Sequence, residues 1–170
     1  KPDPTSPTPE ALLVLQGNRL DWTGSQEDLN FMFENLADAG MIPREQCNKD
    51  TALQHFWIVD EEPEVQLVKY TRLSNTTVPI MWLGQGKRLA ELLWELNGKF
   101  MRFEWHESRL VLEHFRLRNR EVSSPFNHGT FKTYITCMRN DDRDNCRLRN
   151  SSVSDILDAL VRRMGNELRR

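Results

Sequence analysis

The sequence predicts a mainly α fold with minor β, built as a tandem repeat of two trihelical, helix-turn-helix-like units. Three observations carry this prediction. A W-x-G motif occurs twice, an amphipathic helical pattern follows each copy, and an L-x-H-F element follows each helix. Self-similarity at a fixed spacing is the sequence signature of a repeated unit.

The internal duplication extends well beyond the two motifs. At an offset of 60, seven positions match: Leu20, Trp22, Gly24, Leu29, Met32, Phe33 and Leu36 fall on Ile80, Trp82, Gly84, Leu89, Leu92, Leu93 and Leu96. At an offset of 59, residues 53–58 fall on residues 112–117. Helical periodicity aligns leucines by chance, but it does not supply both motifs at nearly the same separation.

Each unit has a readable local order. A short extended piece runs into a glycine turn, and Ser25 is the expected N-cap of the helix that follows, with Asp28 in its first turn. A shorter helix then holds the L-x-H-F element. A third helix is expected near Pro63 in the first unit and around 128–138 in the second. Gly40 and Gly98 are expected to end the first helix of each unit.

These patterns divide the chain into three parts. Residues 1–17 form a proline-rich leader or linker, residues 18–76 the first unit, and residues 77–170 the second unit with an extra C-terminal helix. Ser152 or Ser154 is the expected N-cap of that last helix. Because the chain begins in linker-like sequence, we expect a C-terminal fragment of a longer protein.

Composition restricts the class of protein. The longest apolar run, Ala11–Leu15, is far shorter than the roughly 20 residues of a membrane span, so no membrane partner is expected. Three cysteines, Cys47, Cys137 and Cys146, cannot all pair with one another, and we expect a reduced, intracellular protein.

Charge is distributed unevenly along the chain. The net charge is −2, but residues 1–60 carry four basic and ten acidic side chains, whereas residues 114–170 carry twelve basic and seven acidic ones. The ends therefore have net charges of −6 and +5. Such asymmetry indicates a charged partner on one side only.

The repeated residues are interpreted as structural. This set is Trp22, Gly24, His55, Phe56, Trp82, Gly84, His114 and Phe115. Base stacking by the two tryptophans is the functional alternative. Metal binding or acid–base catalysis is the alternative for the two histidines. No Cys, Asp or Glu recurs beside the histidines at ligand spacing, so buried packing roles are preferred.

An arginine-rich tract is the candidate binding site. Arg116, Arg118 and Arg120 alternate, which places them on one side of an extended segment. Further basic residues follow: Lys132, Arg139, Arg143, Arg147 and Arg149. Arginine binds phosphate with two parallel hydrogen bonds and stacks on bases. The alternative is a solvated loop in which these arginines pair with Asp141, Asp142 and Asp144.

The sequence contains no motif for a zinc site or a phosphate-binding loop. His128, Cys137 and Cys146 lack the close cysteine pair with which zinc sites begin, and the segment from Gly84 to Lys87 lacks the glycine and hydroxyl residues of a phosphate-binding loop. We therefore expect no metal, no cofactor and no enzymatic activity.

The W-x-G motif, its helix, the L-x-H-F element and the final amphipathic helix together resemble the C-terminal region of RteC-type regulators of conjugative transposons. The resemblance covers residues 20–36 with 53–58, and 80–96 with 112–117 and 156–160. It implies a nucleic-acid-associated regulatory protein of a bacterial mobile element, located in the cytoplasm, with DNA as the candidate partner. The alternative is a protein–protein adaptor or assembly domain that binds another protein or forms a homodimer.

Overall fold

The computed structural model describes residues 19–62, 66, 78–119, 122–140 and 152–168, and it is mainly α with minor β. The helices are α1 (Gln26–Asp38), α2 (Lys49–His55), α3 (Gly86–Leu96), α4 (Ser108–Leu112), α5 (His128–Arg139) and α6 (Ser152–Leu168). The strands are β1 (Leu20–Trp22), β2 (Phe56–Ile58), β3 (Ile80–Trp82), β4 (Phe115–Asn119) and β5 (Val122–Ser124). Short 3₁₀ turns occupy Arg44–Gln46 and Trp105–Glu107.

The first half, residues 19–62 with Gln66, is a strand–helix–helix–strand unit. Strands β1 and β2 pair in parallel, with Leu20 opposite Phe56 and Trp22 opposite Ile58. Helix α1 begins at a capping box: the Ser25 hydroxyl accepts from the Asp28 amide at 3.1 Å, and the Asp28 carboxylate accepts from the Ser25 amide at 3.3 Å. Both bonds satisfy amides that the first helical turn leaves unpaired.

The second half, residues 78–119 and 122–140, follows the same order. Strands β3 and β4 pair in parallel, with Ile80 opposite Phe115 and Trp82 opposite Leu117, so equivalent residues of the two halves share one register. Strand β5 then adds an antiparallel edge to β4. After the first long helix of each half, the chain turns at a glycine with positive φ, 74° at Gly40 and 91° at Gly98, where other residues are strained.

The two halves contact each other reciprocally. The Thr23 amide donates to the Phe100 carbonyl at 2.7 Å, and the Leu83 amide donates to the Met41 carbonyl at 2.7 Å. Thr23 and Leu83 are equivalent by sequence offset, and each follows the tryptophan of its half. Reciprocal contacts of this kind arise where two similar units pack through the same surface. One hydrophobic core accordingly contains buried residues of both halves.

The C-terminal helix α6 packs on α1 and α3. The Arg163 guanidinium lies 3.2 Å from the Asp28 carboxylate and its carbon lies 5.0 Å from the centroid of the Phe31 ring. Asp28 is almost completely buried, so the capping carboxylate of the first half also fixes the last helix.

The structure differs from the sequence predictions at several points. The L-x-H-F element crosses an element boundary, because His55 ends α2 and Phe56 begins β2. Each pair of parallel strands encloses two α-helices, and the helix expected near Pro63 lies outside the described residues. The cysteines are not all reduced: Cys137 is disulfide-bonded and Cys47 is free.

Candidate nucleic-acid interface

The two repeated tryptophans lie inside the core. Trp22 and Trp82 have no exposed surface, and each indole donates to a backbone carbonyl at 2.9 Å, that of Ser25 for Trp22 and that of Gln85 for Trp82. A base cannot stack on a ring without exposed surface. The indoles instead hold the turn that leads into α1 and α3.

The neighbouring glycines lie where the halves approach each other. A Cβ added to Gly24 would lie 3.1 Å from a ring carbon of Phe100, and one added to Gly84 would lie 2.5 Å from the sulfur of Met41. Phe56 and Phe115, the first residues of β2 and β4, are both buried in the core. These repeated positions therefore contribute to packing within and between the halves.

The two repeated histidines contact each other directly. His55 Nδ1 lies 3.0 Å from His114 Nδ1, and His55 Nε2 lies 2.9 Å from the Val78 carbonyl. Since a carbonyl only accepts, His55 carries its proton on Nε2 and its Nδ1 accepts the Nδ1 proton of His114. Burial first, and then the charge of Arg19, lowers the pKa of His55, while the bond to Val78 opposes the shift.

A metal would need more than this pair. Within the described ranges, no group of three or more His, Cys, Asp or Glu side chains is arranged to hold an ion. The Nδ1 atoms of His55 and His114 are joined by one hydrogen bond, so this pair forms a structural contact between the halves.

The arginines of β4 are partly engaged in the fold. Arg116 and Arg118 lie on the same face of the strand, as the alternation predicts. Arg116 donates to the Ser123 hydroxyl at 2.6 Å and to the Ser123 carbonyl at 3.3 Å, which fixes it on β5. Arg118 is half-buried and also has a partner within the protein. Arg120 lies outside the described residues.

Helix α5 places the next two predicted residues on one exposed face. Lys132 and Arg139 are both exposed, and a spacing of seven residues brings side chains to the same face after two turns. They line a cleft of about 350 Å³ whose wall includes Trp105, His106 and Ser108. Arg143, Arg147 and Arg149 lie outside the described residues.

A second cleft, of about 260 Å³, lies beside the first and contains Arg116. Arg109 and His128 also line it, with Glu113 as its acidic member. The two clefts meet at one hydrogen bond, because Ser108 lines the first, His128 lines the second, and the Ser108 hydroxyl lies 2.8 Å from His128 Nε2. Arg116 and Lys132 thus belong to adjoining clefts, although they lie on different elements.

Most charged side chains at this junction are positive. Arg109 Nε lies 3.4 Å from His128 Nδ1, which therefore accepts and leaves the ring proton on Nε2. Burial, followed by the charges of Arg109 and Lys132, lowers the pKa of His128. With Nδ1 accepting from Arg109, the ring donates through Nε2 to the Ser108 hydroxyl, so it orients that hydroxyl and does not take its proton. An anion placed here meets fixed positive charge.

We call the surface formed by these side chains the basic face: Arg109, Arg116, His128, Lys132 and Arg139. Arg116, Lys132 and Arg139 were predicted from the sequence as binding residues, whereas Arg109 and His128 were not. No local pattern could have identified them, because Arg109 lies on the short helix α4 and joins the face only through the contact with α5.

Among the helices in the described part of the chain, none combines the length and the apolar composition needed to cross a bilayer. Comparison of the chain with protein-family models, curated proteins and solved structures gives no match.

Proposed function

We propose that this chain is a non-enzymatic, nucleic-acid-associated regulatory module of a bacterial mobile element, and that it contacts phosphates through the basic face. The carrying observation is the composition of the exposed face of α5. It bears Lys132 and Arg139 among threonine hydroxyls, and the sequence of α5 contains no carboxylate. Basic and hydroxyl side chains supply most protein contacts to nucleic-acid phosphates.

The charge of the first half supports an oriented approach. The exposed residues of α1 include Glu27, Glu34 and Asp38, so this helix repels a polyanion that the basic face attracts. Long-range fields of opposite sign on one molecule orient a charged partner before contact. We expect the nucleic acid to approach the second half.

Duplication of one ancestral trihelical unit is part of the same proposal. The shared register of the parallel strands and the two equivalent indole bonds support it. On this hypothesis the residues common to both halves preserve packing, and the arginines found only in the second half carry the binding function.

A salt titration tests the proposal. Each neutralised phosphate contributes about −0.9 to the slope of log affinity against log salt on duplex DNA. Fluorescence anisotropy with labelled duplex and single-stranded DNA should show binding at low salt. The variant Lys132→Ala/Arg139→Ala should reduce the slope by about 2.

The matched control is Arg44→Ala/Lys49→Ala, which removes two exposed positive charges from the first half and should leave the slope unchanged. Absence of binding at low salt would contradict the proposal. Equal losses from the two variants would contradict the placement of the site.

A cytoplasmic location is also part of this proposal, since mobile-element DNA lies there. The disulfide at Cys137 is a test of it, because disulfides are rare in that compartment. Cells can be quenched with acid, and the protein denatured and alkylated. An adduct at Cys137 would support the proposed location, and an unmodified Cys137 would contradict it.

A protein–protein adaptor is the second candidate, favoured by the opposite charges of the two ends, −6 and +5. Surfaces of opposite sign on one chain also suit head-to-tail association with a second copy. Sedimentation velocity at low and high salt distinguishes this candidate: self-association that dissociates with salt supports it, and a monomer at both salt levels contradicts the homodimer.

A further inference from the structure

His55 and His114, which are equivalent residues of the two halves, contact each other through a hydrogen bond between their rings. His55 ends α2, and His114 lies in the turn between α4 and β4. The rings meet at 79°, with centroids 5.2 Å apart. Any change in this contact acts directly on the junction between the halves.

The protons that the pair can hold follow from its geometry. In the neutral pair, His114 Nδ1 donates to His55 Nδ1, and His55 Nε2 donates to the Val78 carbonyl. One further proton can enter on His114 Nε2, which leaves the contact intact and makes its donor cationic. A second proton would have to enter on His55 Nδ1. Two N–H groups would then face each other at a distance of 3.0 Å.

The surroundings of the pair include several charged groups. From the segment before β1, Arg19 faces His55. His114 lines a cleft between the halves with Arg19, Asp21 of β1, Arg102, and Glu107 and Glu113 beside α4. Arg102 and Asp21 form an exposed pair at 3.5 Å. The carboxylates favour a proton on the His114 side, whereas Arg19 disfavours one on the buried His55.

We propose that His55 and His114 form a pH-sensitive latch, which stays closed while the pair holds one added proton or none and opens when both rings are fully protonated. Opening separates the end of α2 from the turn before β4. Strand β4 begins at Phe115, the residue after His114, so the latch acts on the strand that carries Arg116 and Arg118. This inference concerns the junction alone and does not rest on nucleic-acid binding.

Hydrogen exchange measured by mass spectrometry on the full chain tests the latch. After correction for intrinsic exchange, the opening constants of segments 53–58 and 112–119 should rise as the pH falls. The rise should reach about tenfold per pH unit in the range where the second proton enters. Protection in α1 and α3 should persist over the same range. An opening constant that does not change with pH in those two segments would overturn the proposal.

Two variants make the assignment specific. His114→Asn keeps an N–H donor toward His55 Nδ1 but can present its carbonyl oxygen when that nitrogen is protonated, so its segments should lose the pH dependence. The control variant His106→Ala removes an exposed histidine outside the pair, and the two segments should keep their pH dependence in it. If His114→Asn retained the pH dependence of the original protein, the latch would be overturned.

The tautomers provide a measurement that needs no variant. Nitrogen-15 spectra of the imidazoles at pH 7.5 should show His55 protonated at Nε2 and His114 protonated at Nδ1, with coupled titration of the pair at lower pH. Protonation of His55 at Nδ1 at neutral pH, or independent titration of the two rings, would overturn the proposal.

Discussion

The two halves share the same arrangement of parallel strands and helices, which we call the frame. They differ at the outer edge of the second strand. In both, a buried tryptophan begins the helical part and its indole donates to a carbonyl at 2.9 Å. The parallel strands also keep one register. Beyond that frame, Trp57 in the first half is buried beneath Arg19, with the guanidinium carbon 5.7 Å from the ring centroid. The equivalent residue of the second half is Arg116, which lines an open cleft.

The outer edge of the second strand shows how this difference arises. In the second half, β5 pairs with β4 and places Ser124 opposite Leu117. In the first half, β1 pairs with one edge of β2, but no strand within the described residues pairs with the outer edge at Ile58, the equivalent of Leu117. The amide of Gln66 does so: its oxygen accepts from the Ile58 amide at 2.6 Å and its nitrogen donates to the Ile58 carbonyl at 2.9 Å. The buried side chain of Gln66 thus pairs with the outer edge of β2 in the acidic first half. In the basic second half, β5 pairs with the corresponding edge and supports Arg116.

The largest expected effects test whether the frames are equivalent. Trp22→Ala and Trp82→Ala should each lower the free energy of unfolding by about 3–5 kcal/mol, because each removes a fully buried aromatic side chain. Chemical denaturation monitored by circular dichroism measures both. A cost below about 1 kcal/mol for one of them would break the comparison.

The closure of the first half at Gln66 is the next test. Gln66→Ala leaves the buried amide and carbonyl of Ile58 without the partners seen here, and each unpaired buried group costs about 1–3 kcal/mol. We expect a loss of about 2–3 kcal/mol on that basis. Gln85→Ala is the control, since the Gln85 side chain is exposed and makes no cap hydrogen bond. Equal stabilities of the two variants would refute the role of Gln66.

The attachment of α6 to the first half has a control in the neighbouring residue. Arg163→Ala removes the partner of the buried Asp28 carboxylate and the contact with Phe31. Because the Arg163 side chain is about one-third exposed, we expect the free energy of unfolding to fall by about 1–3 kcal/mol. Arg162→Ala should change stability by less than about 0.5 kcal/mol, because Arg162 is exposed. Thermal unfolding of both variants measures these losses. If Arg162→Ala lowered stability as much as Arg163→Ala does, the proposed attachment of α6 through Arg163 would be wrong.

The smallest effect separates the two glycines. Gly24→Ala directs a methyl group at the Phe100 ring, which is stacked on Trp22 with centroids 5.4 Å apart. We expect a cost of about 1–3 kcal/mol for such overpacking. Gly84→Ala meets the flexible thioether of Met41, which can move aside, so its cost should be about 1 kcal/mol lower. The reverse order in urea denaturation would contradict this explanation.

Local features of the fold were predictable from the sequence. The capping role of Ser25 and Asp28, the glycine turns at Gly40 and Gly98, and the helix that follows Asn127 each depend on residues within a few positions of one another. Short-range chemistry of this kind determines where helices begin and end. The class, mainly α with minor β, followed from the same patterns.

Contacts between distant residues were not predictable. The pairing of β1 with β2 in parallel, the bond between His55 and His114, and the ion pair of Asp28 with Arg163 join residues that no periodic pattern connects. The basic face is a further case: Arg116 and Lys132 were identified as cations, but only the Ser108–His128 contact shows that their clefts adjoin.

Charge reversal on α5 tests the central claim most directly. Lys132→Glu/Arg139→Glu changes the exposed face of that helix from basic to acidic, while Arg44→Glu/Lys49→Glu makes the same charge change on the first half. Anisotropy with labelled duplex DNA at low salt should show binding abolished by the first variant and weakened at most about threefold by the second. Retained binding by the first variant, with a folded circular dichroism spectrum, would contradict a nucleic-acid interface on the second half.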